Sequence, residues 1–158
     1  SNKIIQQGEI VSFDTDMVGP YGYCADISRT FVCGNDFNNN QKELYSMSLE
    51  QINHNSNLIK ADMSFKEFTE KSWKLPEEYY GNRYSVMVHG IGLCDEWPSI
   101  RYPTDGGDKS GRFLKNMTIT VESYIGKVGG KEGVKLEQQY LVGENGLELM
   151  SHHPLEDI

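Results

Sequence analysis

Long apolar runs are missing from this chain: nowhere do about 20 consecutive hydrophobic residues occur, the length a membrane-spanning helix needs, so helical spans are excluded. Cysteine is scarce and badly spaced. Cys24, Cys33 and Cys94 are odd in number and form no CxxC pair, which excludes a disulfide framework or zinc knuckle and points to a reduced, cytoplasmic setting. Clustered Lys and Arg are also lacking. With a formal net charge of -8, the chain has no basic patch to neutralise phosphates, so no nucleic-acid partner is expected. No charged start followed by an apolar stretch is found, so these residues contain no secretory leader and no membrane partner is expected. Repeats, low-complexity tracts and linkers are absent, and residues 1–158 read as a single domain.

What is present is an ordinary globular mixture, 37% hydrophobic and 24% charged, in a chain long enough to bury about two thirds of its unfolded surface. Its acidic surplus suits hard cations, which take carboxylate ligands. From Glu9 to Val32 the pattern reads strand, turn, strand: "EIVSFD" alternates, Gly19-Pro20 and Gly22 bend the chain, and "ISRTFV" extends again. "GNDFNNN" is a loop. Asn40 to Lys60 follows as a helix, with Tyr45, Leu49 and Ile52 on one face, and "SFKE" caps a second helix from Phe65 to Trp73. A polar, Tyr-rich loop comes next, then "RYSVMVHGIG", a strand ending at His89, and a long connection from Leu93 to Arg112. "MTITVESYIG" and "VKLEQQYLVG" flank "KVGGKEG" as a second hairpin.

Placed on these elements, the acids converge. Asp14 and Asp16 sit at i and i+2 of one strand, Asp26 starts its partner, and Glu122 and Glu137 occupy the two strands of the second hairpin. A lone Asp beside a turn is usually a capping residue. Five carboxylates aimed inward from sheets are different, because burying them unpaired is costly and a shared cation is the simplest remedy. Their charge suits two bridged ions, and His89 can supply one nitrogen ligand. Cys24 and Cys94, close to these motifs, are expected to be small buried apolar residues, while His54, His152 and His153 are expected on polar surface.

"FDTDMVGPYGYCADISRTF", "VMVHGIGL", "TITVESYIG" and "GVKLEQQYLV" resemble, in order and spacing, the Asp, Asp, His, Glu, Glu signature of the "pita-bread" (M24) metallopeptidases, which include methionine aminopeptidase, aminopeptidase P, prolidase and creatinase. The resemblance implies an α+β fold, the C-terminal part of a pita-bread domain with a curved antiparallel sheet covered by helices. It makes Asp26, His89, Glu122 and Glu137 ligands of a dinuclear site, and it maps the first aspartate onto the Asp14/Asp16 pair, both of which are expected to bind. It also implies that an upstream half and an N-terminal domain are missing from these residues, and apolar surface left by that half would favour homo-oligomers.

Two departures matter. Peptidases of this type typically read His-Gly-x-Gly and, two or three residues later, His-Glu-x-Pro; here "HGIGLCDEWP" puts Asp95 in place of the second histidine. An ionised carboxylate cannot donate the hydrogen bond that histidine gives a peptide substrate, but it can accept a proton. Lys135 likewise stands where an arginine often precedes the last glutamate by two. The wording "FDTD" and "HGIGLCDEWP" is similar to the branch that cleaves dimethylsulfoniopropionate. On that resemblance Asp95 is the catalytic base of a β-elimination, with Tyr21, Tyr23 and Trp97 facing a sulfonium by cation–π contact. The cofactors implied are two divalent or trivalent ions: iron in a lyase, manganese, cobalt or zinc in a peptidase. An Xaa-Pro peptidase acting on short peptides and a non-catalytic binding domain are the alternatives.

Overall fold

Alternation along "TITVESYIG" and "GVKLEQQYLV" produces the two longest strands of the chain. In the computed structural model, which describes residues 2–34, 36–107 and 109–156, they are Thr118–Gly126 and Gly133–Val142, paired antiparallel with Glu122 directly opposite Glu137. Five strands make this sheet. Numbered in chain order, they are β5 (Val86–Gly90), β6 (Ser99–Arg101), β7 (Thr118–Gly126), β8 (Gly133–Val142) and β9 (Leu147–Leu149), in the order β6-β5-β7-β8-β9 and antiparallel throughout. Asn35 and Asp108, which fall in the loops expected at residues 34–40 and 93–112, lie outside the described residues.

The sheet's two faces have different occupants because side chains alternate. Ile119, Val121 and Ile125 of β7, with Val134, Leu136 and Val142 of β8, are fully buried in the core that holds Leu44, Tyr45 and Ile52 of helix α1 (Asn39–Leu58). A capping box starts α1: the Asn38 side chain accepts from Gln41 N, and the Gln41 side chain accepts from Asn38 N. Gln51 of α1 ties helix to sheet, accepting from Ser123 Oγ at 2.6 Å and donating to Tyr102 Oη at 2.5 Å. Ser64 caps α2 (Phe65–Lys71), which ends two residues before the expected Trp73, and Phe65 and Phe68 both stack edge-on against Phe113. The Tyr-rich loop contains a further turn of helix, α3 (Glu77–Tyr80).

The opposite face of β7 and β8 carries Glu122, Lys135 and Glu137 and meets the N-terminal strands. The expected single hairpin is two nested ones: β1 (Ile10–Asp14) pairs with β4 (Ser28–Val32), and beyond them β2 (Met17–Val18) pairs with β3 (Cys24–Ala25) around a 3-10 turn at Pro20–Gly22. This changes two positions. β1 stops at Asp14, so Asp16 is not on the same strand, and Asp26 lies between β3 and β4 instead of starting a strand. Thr15 makes the interruption: its hydroxyl donates to Ile27 O at 3.0 Å and accepts from Ile27 N at 3.2 Å, a side-chain substitute for ladder bonds.

Candidate metal centre

His89, one residue before the end of β5, lies on the same sheet face as Glu122 and Glu137, since it pairs with Thr120 of β7 while its neighbour Val88 pairs with Val121 on the core side. Its Nδ1 lies 3.0 Å from Gly90 O, which leaves Nε2 pointing at a ring of carboxylates: Glu137 Oε1 at 3.2 Å, Asp26 Oδ2 at 3.6 Å and Glu122 Oε1 at 3.8 Å. A carbonyl on one ring nitrogen orients the other as a ligand. Gly90 has to be glycine. A Cβ there would sit 2.1 Å from Trp97 O, because the following loop folds back over the strand end.

That loop carries Asp95. Glu96 takes a positive φ of 59°, and its N–H donates to Asp95 Oδ1 at 2.9 Å, turning the carboxylate back so that Oδ1 lies 3.9 Å from His89 Nδ1. Three groups of ligand atoms, each within 4.8 Å of one another, therefore form among the described residues: His89–Glu122–Glu137, Asp14–Asp26–Glu137 and Asp26–His89–Asp95. Asp14, His89, Asp26, Glu122 and Glu137 come together as the motif spacing suggested, and Asp95 joins them at the rim. Asp16 stands outside all three groups and is exposed, although its charge acts on Asp26. Tyr21, Tyr23 and Trp97 are 95%, 57% and 64% exposed, and their segments meet where Cys24 N donates to Gly92 O at 2.7 Å. Cys94 is exposed and Cys24 half-buried where both were expected to be buried, because Cys94 stands in the bends of the returning loop and Cys24 on a two-stranded ribbon outside the core; the exposed His54, His152 and His153 are as expected.

The electrostatics are those of a site short of positive charge. Burial, reinforced by the charges of Glu137, Asp14 and Asp16, pushes the Asp26 carboxyl up to about 8. Burial likewise pushes Glu122 up to about 8 despite the pull of Lys135. Burial alone would raise Glu137 as well, but the hydrogen bond from His89 and the charge of Lys135 hold it below the usual carboxylate range. For His89 burial pulls downward and is outweighed by Glu137 and Glu122, leaving it at about 9. Two buried oxygens, Asp26 Oδ1 and Glu122 Oε1, have no hydrogen-bond partner among the described residues. Orphaned acceptors at the centre of a carboxylate ring fit a cation, and an oxygen-rich set with one imidazole suits manganese, iron, cobalt or zinc.

Ser28 and Tyr84 escaped sequence reasoning, and Lys135 was noted there without a place in the site. Ser28 directs its hydroxyl toward Asp14 Oδ1 and Glu137 Oε2, the latter at 2.9 Å. Lys135 Nζ donates to Glu122 Oε2 at 2.7 Å, and Tyr84 places its ring 4.9 Å from that ammonium. Lys135 had been visible as a departure from the motif, and its i, i+2 spacing to Glu137 puts it on the same face.

A profile of Metallopeptidase family M24 matches residues 1–144. Among curated proteins, the chain is 38% identical over 158 residues to dimethylsulfoniopropionate lyase DddP of Roseovarius nubinhibens, covering 98% of this chain and 35% of that protein. It is 33% identical over 156 residues to the Xaa-Pro dipeptidase of Pyrococcus furiosus, covering 96% and 42%. Among solved structures, the prolidase from Pyrococcus horikoshii OT3 superimposes with a TM-score of 0.80 at 27% identity, covering 100% of this chain and 44% of that one. An X-Pro aminopeptidase from Thermotoga maritima MSB8 gives 0.79 at 28%, covering 99% and 43%. These likenesses bear out the expected pita-bread fold. The chain spans between a third and a half of the length of these relatives.

Proposed function

Because the chain belongs to metallopeptidase family M24, we propose that it carries the metal centre of an enzyme that splits a carbon–sulfur bond by β-elimination, with dimethylsulfoniopropionate as substrate. Asp14, Asp26, His89, Glu122 and Glu137 would hold two ions, with iron the preferred metal, and Asp16, exposed next to Asp26, would join them by rotating its side chain. Bound there, the metal supplies a Lewis acid for a substrate carboxylate.

The observation that carries this reading is Asp95, a carboxylate held at the rim of the ligand ring, 3.9 Å from His89 Nδ1, where peptidase motifs place a histidine. Asp95 takes the proton from the carbon next to the substrate carboxylate. The electron pair left behind forms the double bond of acrylate as the carbon–sulfur bond breaks, and dimethyl sulfide departs with that bond's pair. Asp95 then returns the proton to water, so atoms and charge balance. General-base catalysis of this kind contributes about 10²- to 10⁴-fold. The exposed rings of Tyr21, Tyr23 and Trp97 suit a sulfonium cation, which is attracted to an aromatic face. The similarity to the lyase supports this choice over Xaa-Pro hydrolysis.

The test is product analysis on the full-length protein: dimethyl sulfide from dimethylsulfoniopropionate against proline from Xaa-Pro dipeptides. Dimethyl sulfide release is expected, falling at least about 100-fold in Asp95→Asn with bound metal retained. Proline release without dimethyl sulfide would overturn the lyase reading in favour of a dipeptidase.

A further inference from the structure

Among the described residues, five buried side-chain atoms lack a hydrogen-bond partner, and three of them, Asp26 Oδ1, Glu122 Oε1 and Thr120 Oγ1, belong to residues that approach or pair with His89. A cation answers the two carboxylate oxygens. It does not answer Thr120, whose hydroxyl also has a proton to donate. Thr120 is wholly buried, and register fixes its direction: it stands opposite His89 of β5 and opposite Gln139 of β8, two residues before Glu122, so its side chain shares the ligand face. Gln139 is engaged elsewhere, its Oε1 accepting from Asp26 N at 3.4 Å. Glu137, the partner of Glu122, is the diagonal neighbour of Thr120 across the hairpin, a separation that side chains bridge. Against the upward effect of burial, the Glu137 carboxyl is held low by the bond from His89 and the charges of Lys135 and His89, and then by the Thr120 hydroxyl, so the two are neighbours although no bond between them is complete.

We propose that Thr120 is a positioning residue for Glu137: its hydroxyl takes over Glu137 Oε1 when a cation occupies His89 Nε2. The reasoning is an account of donors. Glu137 Oε2 receives Ser28 Oγ at 2.9 Å and Lys135 Nζ at 3.2 Å, whereas Oε1 receives, among the described residues, only His89 Nε2 at 3.2 Å. One ring nitrogen cannot serve both Glu137 and an ion. An ion on Nε2 therefore strips Oε1 of its donor, and Thr120 carries an unused one on the same face. A carboxylate ligand keeps its orientation when its remaining lone pair is hydrogen-bonded, and such partners change metal affinity about 10- to 100-fold.

The inference rests on the metal-centre reading but not on which reaction the enzyme performs. Metal-free full-length Thr120→Val and Thr120→Ser proteins are melted by circular dichroism and titrated with manganese(II), free ion being followed by electron paramagnetic resonance. Valine keeps the shape and removes an unpaired polar atom, so metal-free Thr120→Val should melt no lower than wild type. Its affinity for manganese should nevertheless fall at least about tenfold. Thr120→Ser keeps the hydroxyl and should bind manganese as wild type does, even though the lost methyl lowers its melting temperature. Unchanged affinity in Thr120→Val would overturn the proposal by showing that the side chain only fills space. A lower melting temperature of metal-free Thr120→Val, or its failure to fold, would overturn it as well, because the hydroxyl would then be bonded before any ion arrives. Equal loss of affinity in the serine and valine variants would assign the effect to packing, again against the proposal. No binding by wild type would remove the metal centre itself, a result distinct from all of these because it appears without any variant.

Discussion

Arg29 illustrates how a single residue can organise a site without touching its chemistry. Its guanidinium is almost wholly buried and donates to Pro154 O at 3.0 Å, Ser28 O at 2.9 Å, Glu137 O at 2.6 Å and Gln138 Oε1 at 2.6 Å, with a further bond to His153 O. Four of these acceptors are backbone carbonyls, so the residue joins β4, β8 and the C-terminal segment at one point. Burial lowers its affinity for a proton, yet a guanidinium stays charged at any physiological pH. Arg29→Met keeps the bulk and removes every donor. Buried carbonyls left unpaired should cost on the order of 3 kcal/mol or more, read as a lower denaturant midpoint, together with weaker metal binding because the Glu137 backbone loses its anchor.

At the scale of elements, the glycine turn after β5 and the register of β7 with β8 position the centre. Direct pairing of Glu122 with Glu137 follows from alternation within each strand and a short connection. The Gly90 contact with Trp97 O is what lets the Asp95 loop fold over His89. Gly90→Ala should therefore displace that loop, lowering stability by about 1–3 kcal/mol and cutting the proposed lyase turnover more than it cuts metal content. Equal loss of both would show that the loop also holds the ligands. The central hairpin, α1 and the β5 strand were legible in the sequence because each carries its own period. β6, β9 and α3 were not: three or four residues long, they exist only where a neighbouring strand or turn receives them.

Viewed as a whole molecule, the chain gathers acid faster than it can neutralise it, and this sets its response to pH. Asp26 and Glu122, at about 8 in the folded chain against ordinary values of 3.8 and 4.5, bind protons more tightly folded than unfolded. Their contribution is complete below the ordinary values and is lost as the pH rises to about 8. His89, raised from 6.5 to about 9, adds a loss over that interval. Glu137, held low, acts in the opposite sense and withdraws its contribution as the pH falls below the carboxylate range. Metal-free protein should melt highest near pH 5 and progressively lower towards pH 9, as followed by calorimetry. Manganese should raise the melting temperature more at pH 8 than at pH 6, because the ligands must lose their protons to bind it. A flat metal-free profile over this range would contradict the buried-acid description.

By itself the sequence determined which ionisable residues could converge: Asp14, Asp16, Asp26, His89, Glu122 and Glu137 are each marked by local alternation, a turn or motif spacing, and Asp95 by its departure from that spacing. Only the tertiary structure decided how charge is shared among them. Lys135 reaches Asp14 across 121 positions of sequence, Arg29 reaches Pro154 across 125, and Asp16 falls outside the ligand groups once Thr15 breaks the first strand. The physical reason is range. Periodicity and turn chemistry act over a few residues, whereas a buried charge is answered by whatever the fold brings within about 4 Å, however distant along the chain.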